Sequence, residues 1–327
     1  MTKHLSRRDF LKGSALTLGA AALSGVTGGL ESAFAAPQES AQKKAAVYFT
    51  KDLSPEGLRK VYACVNQGIT GKTAIKLHTG EPNGPYIIPP AWVQAFMPSV
   101  PNSAIVECNV LYDSPRKTTA GHRQTLETNG WSYSPVDIMD ADGDVSLPIR
   151  NGKWIKEVAI GKNMVNYDSM LVLTHFKGHA LGGFGGSLKN ISIGCASGQV
   201  GKAQVHGARS APWITGPELM ERLAEGGKAV TDYFGPRITY INVLKNMSIR
   251  CDCGGVAAPP PTAPDLGILA STDILAIDQA SVDMVYALPQ NQKADLVERI
   301  ESRSGLHQLT YMKELGMGRN SYEIINV

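Results

Sequence analysis

Beyond residue 44 the chain alternates short apolar runs with amphipathic stretches. Residues 45–49, 73–78, 104–110 and 170–174 are rich in branched side chains and bounded by turn residues, which predicts buried strands. Residues 55–66 and 118–128 carry apolar positions at helical spacing, and the first is entered through Ser54-Pro55, a capping serine followed by proline at the first helical position. In the second half the pattern predicts a helix over 216–233, strands over 238–244 and 266–270, helices over 274–286 and 293–303, and a final strand over 322–326. Alternation of this kind predicts an α/β fold with a mainly parallel sheet and flanking helices, in one body or in two α/β lobes. Two segments break the rhythm: the glycine-rich stretch 178–186 and Pro259-Pro260-Pro261, the latter a rigid turn or linker. There is no internal repeat and no low-complexity tract.

The first 44 residues follow a different logic. Ser6-Arg7-Arg8-Asp9-Phe10-Leu11-Lys12 precedes an uncharged run of small and apolar residues from 13 to 30, and then Ala33-Phe34-Ala35. This is the order of a twin-arginine signal peptide: a basic start, a mild apolar stretch and a small-x-small cleavage site. A membrane anchor is the alternative, but the run is dominated by Gly, Ala, Ser and Thr and is only as long as the shortest spans. The expected organisation is therefore a signal over 1–35, a polar linker over 36–44 and an α/β domain over 45–327. It implies the twin-arginine export machinery as a partner, a periplasmic or extracytoplasmic location, and no stable membrane span after cleavage.

Composition adds little until it is divided along the chain. With 43% hydrophobic and 19% charged residues the protein is too apolar to be disordered, and 327 residues can bury a core without disulfide staples. The net charge is +3, of which the segment 1–35 supplies +2 through Lys3, Arg7, Arg8 and Lys12 against Asp9 and Glu31, leaving +1 for the rest. A nearly neutral body argues against nucleic acid or an anionic membrane surface as partner. Five cysteines enter an oxidising compartment, and the odd number leaves at least one unpaired. Cys64 in a predicted helix and Cys108 in a predicted strand are expected to be buried, inert thiols. Cys251 and Cys253, one residue apart, are expected to act as ligands or reactive groups rather than to bridge each other. Proteins exported folded by this route often carry a metal or redox cofactor, which adds weight to the ligand reading.

In parallel sheets ligands sit beyond the carboxyl ends of the strands. Lys76 and His78 close the second predicted strand, and His175 and Lys177 follow the fourth. Between Asp168 and Glu218 the chain has no acidic residue, yet the same span holds His175, Lys177, His179, Lys189, Lys202, His206 and Arg209. Threaded through it is Gly178-His179-Ala180-Leu181-Gly182-Gly183-Phe184-Gly185-Gly186, then Ser187-Leu188-Lys189-Asn190. Glycines let backbone amides approach a ligand, and an amide-rich turn opening a helix suits an anion; a tight structural turn is the bland alternative.

Two chemistries compete for this constellation. His175, His179, Cys195, His206, Cys251 and Cys253 could supply imidazole and thiolate ligands to a transition metal. Alternatively Lys76, His78, Lys177, Gly182, Gly183, Gly185, Gly186, Lys189 and Asn190 could hold a small anionic ligand. Asp252 either orients a ligand from behind or is a turn residue. Hydrolase signatures such as Gly-x-Ser-x-Gly and His-Glu-x-x-His are missing, so no catalytic residue is assigned. Asp137, Asp140, Asp142 and Asp144 lack the remainder of a calcium loop and read as a solvated acidic turn. Asp278 reads as a capping or buried hydrogen-bonding residue as readily as a catalytic one.

Several strings are specific enough to suggest a family. Ala74-Ile75-Lys76-Leu77-His78-Thr79-Gly80-Glu81, His175-Phe176-Lys177-Gly178-His179, Gly194-Cys195-Ala196-Ser197, Cys251-Asp252-Cys253, Pro264-Asp265-Leu266-Gly267 and Ala276-Ile277-Asp278-Gln279 all resemble the family called "domain of unknown function 362", particularly its iron–sulfur branch. Glu314-Leu315-Gly316-Met317-Gly318 and Tyr322-Glu323-Ile324 fit that branch too. Many of its members carry a ferredoxin-like insert, with two Cys-x-x-Cys-x-x-Cys-x-x-x-Cys-Pro runs, after the position matching His206. Residues 210–236 contain no cysteine here, so a ferredoxin-type cluster pair is excluded. A single cluster or metal held by Cys195, Cys251, Cys253 and a histidine is what the resemblance still implies. The sequence thus leads to an exported protein binding a metal or small anion in a His/Lys/Cys cleft, with redox or Lewis-acid chemistry if it is an enzyme. The alternatives are a non-catalytic anion-binding or scaffold protein and a single-cluster electron carrier.

Overall fold

The computed structural model describes residues 44–327; the signal and nearly all of the linker lie outside the described residues. In chain order the strands are β1 (Ala45–Thr50), β2 (Thr73–Lys76), β3 (Ser103–Glu107), β4 (Val136–Ile138), β5 (Asp144–Pro148), β6 (Glu157–Gly161), β7 (Ser169–His175), β8 (Lys177–His179), β9 (Gly183–Gly185), β10 (Ile238–Leu244), β11 (Gly267–Ser271) and β12 (Tyr322–Asn326). The helices are α1 (Pro55–Ala63), α2 (Pro90–Phe96), α3 (Thr119–Thr128), α4 (Ser187–Cys195), α5 (Gly201–His206), α6 (Pro217–Phe234), α7 (Ile274–Tyr286), α8 (Gln290–Ser302) and α9 (His307–Glu314).

Eight strands form one sheet in the order β12-β1-β11-β10-β7-β2-β3-β4, so the described residues share a sheet rather than two lobes. β11 runs antiparallel to β1 and β10, and every other pairing in this sheet is parallel. β7 shows why both faces are covered. Met170 and Val172 join one core, and Leu171 and Leu173, on the opposite side of the pleat, join the other. The first core includes Leu188 and Ile191 of α4, Leu219 and Leu223 of α6 and Leu275 of α7. The second includes Leu58, Val61 and Tyr62 of α1 with Val93 and Phe96 of α2. α1 starts where the sequence places it, with the Ser54 hydroxyl accepting the Gly57 N–H at 3.2 Å.

The elements that the hydrophobic pattern does not single out are short. β4, the β5–β6 hairpin, α2, α5 and α9 run from three to eight residues, too few for a period to stand out. The glycine-rich stretch is also ordered rather than an open loop, because β8 and β9 pair as a small antiparallel hairpin. A Cβ on Gly178 would lie 2.6 Å from the Ile249 backbone, so this strand packs against the segment after β10 at a distance only glycine allows.

Candidate functional site

β2, β3, β7 and β10 are parallel neighbours, and the residues at their carboxyl ends surround a cavity of about 330 Å³. Lys76 and His78 come from the end of β2, Glu107 and Cys108 from β3, and His175, Lys177 and His179 from β7 and β8. Gly185, Gly186, Lys189 and Asn190 come from β9 and the start of α4, and Lys202, His206, Trp213 and Cys253 complete the polar wall. Leu111, Leu181 and Ile193 give it an apolar side.

Two buried carboxylates anchor the cations. Asp252 accepts from Lys177 Nζ at 2.8 Å and from His175 Nδ1 at 2.9 Å. Burial alone would raise its pKa, but the charges on His175 and Lys177 override that and hold it well below the carboxylate range. His175 Nε2 meets the Lys245 carbonyl at 2.7 Å. Both ring nitrogens therefore face acceptors, each carries its hydrogen, and neither offers a lone pair to a metal. Asp252 thus holds His175 and Lys177 and also opens the turn Asp252–Ala257.

Glu107 is the second anchor. It accepts from Arg116 Nη2, from the Thr79 N–H at 3.1 Å and from Lys76 Nζ at 3.5 Å. Burial opposes its ionisation, and Lys76 and Arg116 overcome that and keep it charged. Arg116 continues to Glu81 at 3.1 Å, which also accepts from Tyr112 and Ser114 at 2.6 Å each. Sequence reasoning missed Glu107, Arg116, Tyr112 and Glu81. The one available signal was a glutamate inside an apolar run, since Glu107 closes a strand whose preceding residues are all apolar or small.

The remaining cations and imidazoles divide into committed and free groups. Lys76 Nζ spends its donors on the Leu77 carbonyl at 2.7 Å, Asn190 Oδ1 at 3.1 Å and Glu107. Asn190 Nδ2 in turn bonds the Lys76 and Leu173 carbonyls and Thr174 Oγ1, so this residue staples β2 to β7. Lys202 Nζ donates to the Ala196 carbonyl at 2.7 Å. Lys189 has no hydrogen-bond or ion-pair partner among the described residues, and burial together with the charge on Lys177 pushes its pKa down to about 7. His78 and His179 are held neutral, chiefly by burial and then by Arg116 and Lys189 respectively. His78 Nδ1 accepts the Gly80 N–H at 2.9 Å, and His179 Nδ1 accepts those of Leu181 at 3.2 Å and Gly182 at 2.8 Å. Each neutral ring therefore carries its hydrogen on Nε2 and is a donor there. His206, lowered to about 4 by burial and Lys189, lies beside Trp213 with centroids 5.1 Å apart and the rings tilted by 33°. Its Nδ1 and the Trp213 Nε1 are buried without a partner.

The six sequence-derived metal ligands do not all converge. His179, Cys251 and Cys253 bring one ring nitrogen and two sulfurs within 4.8 Å of one another, a group that could hold a metal ion. His175, Cys195 and His206 lie outside that group. Cys195 is buried at the end of α4, and burial pushes its thiol up to about 11. Contrary to expectation, Cys251 and Cys253 form a disulfide. Cys251 is extended and Asp252 begins a 3₁₀ turn, which folds the chain back and sets the two Cα atoms 5.2 Å apart, inside the span of a disulfide. As arranged, the sulfurs are spent on each other and the His179 Nδ1 lone pair on backbone amides, so the donor set does not fit a metal without reduction and a turned ring.

The glycine-rich segment contributes shape rather than amides. The first N–H groups of α4, from Ser187 and Leu188, are taken by the Asp278 carboxylate at 2.7 and 2.9 Å, so the helix N-terminus is already capped by an internal anion. Burial pushes Asp278 up to about 6 in spite of these bonds. Gly182 ends the hairpin turn and Gly183 opens β9, at φ +76° against Gly305, while Gly185 and Gly186 line the cavity. The acidic group in and after β4 is not merely solvated. Asp137 accepts from Asn163 and Tyr167, and Asp140 from the N–H groups of Asn109 and Gly198.

Among known proteins, no curated sequence matches this chain. Among solved structures, the lactate racemase apoprotein from Thermoanaerobacterium thermosaccharolyticum is similar at 12% identity and a TM-score of 0.41, over 74% of this chain and 57% of that one. A Thermotoga maritima protein is similar at 12% identity and a TM-score of 0.37, over 58% and 49% of the two chains. The chain thus spans little more than half the length of the first of these. Residues 4–24 match the twin-arginine translocation signal, which directs export to the periplasm or extracytoplasmic space. Among the described residues no helix is long and apolar enough to cross a membrane. The profile of the domain of unknown function DUF362 matches residues 73–283, which include the cavity's strand ends, the β8–β9 hairpin and the Cys-Asp-Cys turn, and the chain belongs to that family.

Proposed function

We propose that this exported protein binds a small carboxylate or phosphate anion in the cavity at the carboxyl ends of β2, β3 and β7. The observation that carries the reading is Lys189, a half-buried cation with no partner among the described residues, beside lysines that are all anchored. Lys76 and Arg116 share Glu107, Arg116 also meets Glu81, and His175 and Lys177 share Asp252, so the wall carries more cationic than anionic groups and an added anion offsets part of the surplus. His206 Nδ1 and Trp213 Nε1 supply two further polar positions. The volume, about 330 Å³, suits a small molecule. Thermal-shift and calorimetric titration with oxalate, sulfate and phosphate test this. Stabilisation that survives chelator and is lost in Lys189→Met supports it, and the lack of any stabilisation by these anions refutes it.

The 4.8 Å grouping of His179, Cys251 and Cys253 favours a second reading, a metal site formed after reduction of the disulfide. One imidazole and two thiolates would suit zinc, with an open position toward the cavity. Elemental analysis of reduced protein purified without chelator, alongside Cys251→Ser/Cys253→Ser, decides it; metal-free reduced protein refutes it. A single iron–sulfur cluster has less support, because Cys195 stands outside the group and its thiol is held protonated.

A further inference from the structure

We infer that Lys189 is a nucleophilic amine that forms an imine with a small 2-oxo acid, an inference that rests on the anion-binding reading and names the substrate class of the same cavity. The geometry separates two neighbouring lysines into different roles. A Cβ on Gly185 would lie 3.6 Å from Lys189 Cδ and 3.8 Å from Lys177 Cε, so both chains run past the same bare glycine. Lys177 is pinned to Asp252 at 2.8 Å and stays a fixed cation. Lys189 has no carboxylate to hold its proton, and a lysine in a half-apolar wall beside a fixed cation is the arrangement that makes an amine available near neutrality.

The rest of the wall matches the other end of such a substrate. Lys177 keeps donors beyond the one given to Asp252, and His179 presents its Nε2–H, so a carboxylate beside the reacting carbonyl meets charge and a hydrogen bond. His179 and His206 line the same cavity as Lys189. His206 Nδ1, buried and unpartnered, is free to move a proton.

The step balances without an oxidant or metal. The Nζ lone pair bonds to the carbonyl carbon as the C=O π pair moves to oxygen, and one Nζ proton passes to that oxygen to give the carbinolamine. The second Nζ proton is carried, through His206, to the hydroxyl group. The C–O bond then breaks, water leaves with both protons, and the nitrogen lone pair closes the C=N bond. Amine and oxo acid become imine and water.

Incubation of the exported protein with pyruvate and sodium borohydride, which delivers hydride to the imine carbon, converts the adduct into a stable secondary amine. The expected result is one reduced pyruvate unit per chain, mapped by peptide mass spectrometry to Lys189 and blocked by oxalate, which has the charge but no ketone. Lys189→Arg has no primary amine at this position and loses the adduct. Binding of oxalate by the wild type without any adduct overturns the imine and leaves the anion site standing. Neither binding nor adduct overturns both readings. An adduct spread over surface lysines and undiminished in Lys189→Arg also overturns the imine.

Discussion

Replacing Asp252 by Asn tests whether this carboxylate holds the cationic wall together. Both of its partners, Lys177 Nζ and His175 Nδ1, are donors, and all three side chains are buried. The amide has a single acceptor oxygen and turns an N–H toward one of the two donors. It also removes the charge that compensates Lys177. Leaving a buried charge without its partner costs about 3–5 kcal/mol, and a domain of this size loses roughly 2–4 °C per kcal/mol, so the melting temperature should fall on the order of 10 °C. The pH profile gives an independent sign. Asp252 has a depressed folded-state pKa, so its contribution is whole above the ordinary aspartate value of about 4 and is lost as pH falls below it. The wild type should therefore lose stability between about pH 4 and pH 2 more steeply than the variant, as read by circular-dichroism melts at fixed ionic strength. A variant that melts within about a degree of the wild type at pH 7, with a parallel acid limb, refutes the account of Asp252.

Three further outcomes follow from the same geometry. Gly186→Ala would set a Cβ 2.5 to 2.7 Å from the Asp278 carboxylate, which caps α4 and bonds Asn242; displacing it should cost about 1–3 kcal/mol in urea unfolding, and an unchanged midpoint contradicts the capping role. Titration of native protein with a thiol reagent should find one readily modified cysteine, Cys64, because Cys108 and Cys195 are buried and Cys251 and Cys253 are bonded; mild reduction should add two more, and equal labelling before and after reduction argues against the disulfide. Because Lys189 is charged only below about pH 7, sulfate affinity should weaken from pH 6 to pH 8, by up to about tenfold per unit, and Lys189→Arg should flatten the dependence in calorimetry.

What the sequence makes legible depends on whether the relevant signal is local. The strand over 170–174 and the helix over 274–286 follow from apolar periodicity, and the strand ends at Lys76 and His175 that line the cavity follow from the parallel-sheet reading. The partners of those residues are not local. The stretch from 169 to 217 has no acid of its own, yet two of its cations are anchored by carboxylates elsewhere: Lys177 and His175 by Asp252, 75 and 77 residues later. The Cys-Asp-Cys turn shows the same limit from the other side. Spacing alone suggested two free thiols, whereas the backbone path at Asp252, fixed by the bonds of its own side chain to β7 and β8, brings the two cysteines together.

The buried acids explain why one lysine is left over. Asp252 and Glu107 are each matched with at least two cationic donors, and both are held ionised. Asp278, which caps α4, is met by the neutral donors of Ser187, Leu188 and Asn242, and burial raises it. Its preference for the protonated form contributes stability that is full below about pH 4 and lost as pH rises toward 6, the opposite of Asp252. The fold thus gives its ionised acids to the lysines and arginine behind the wall, and gives Asp278 to the backbone beneath it. Among the described residues, Lys189 is the lysine of this wall that the allocation leaves without a partner, and it lines the cavity in which a ligand's charge could supply the difference.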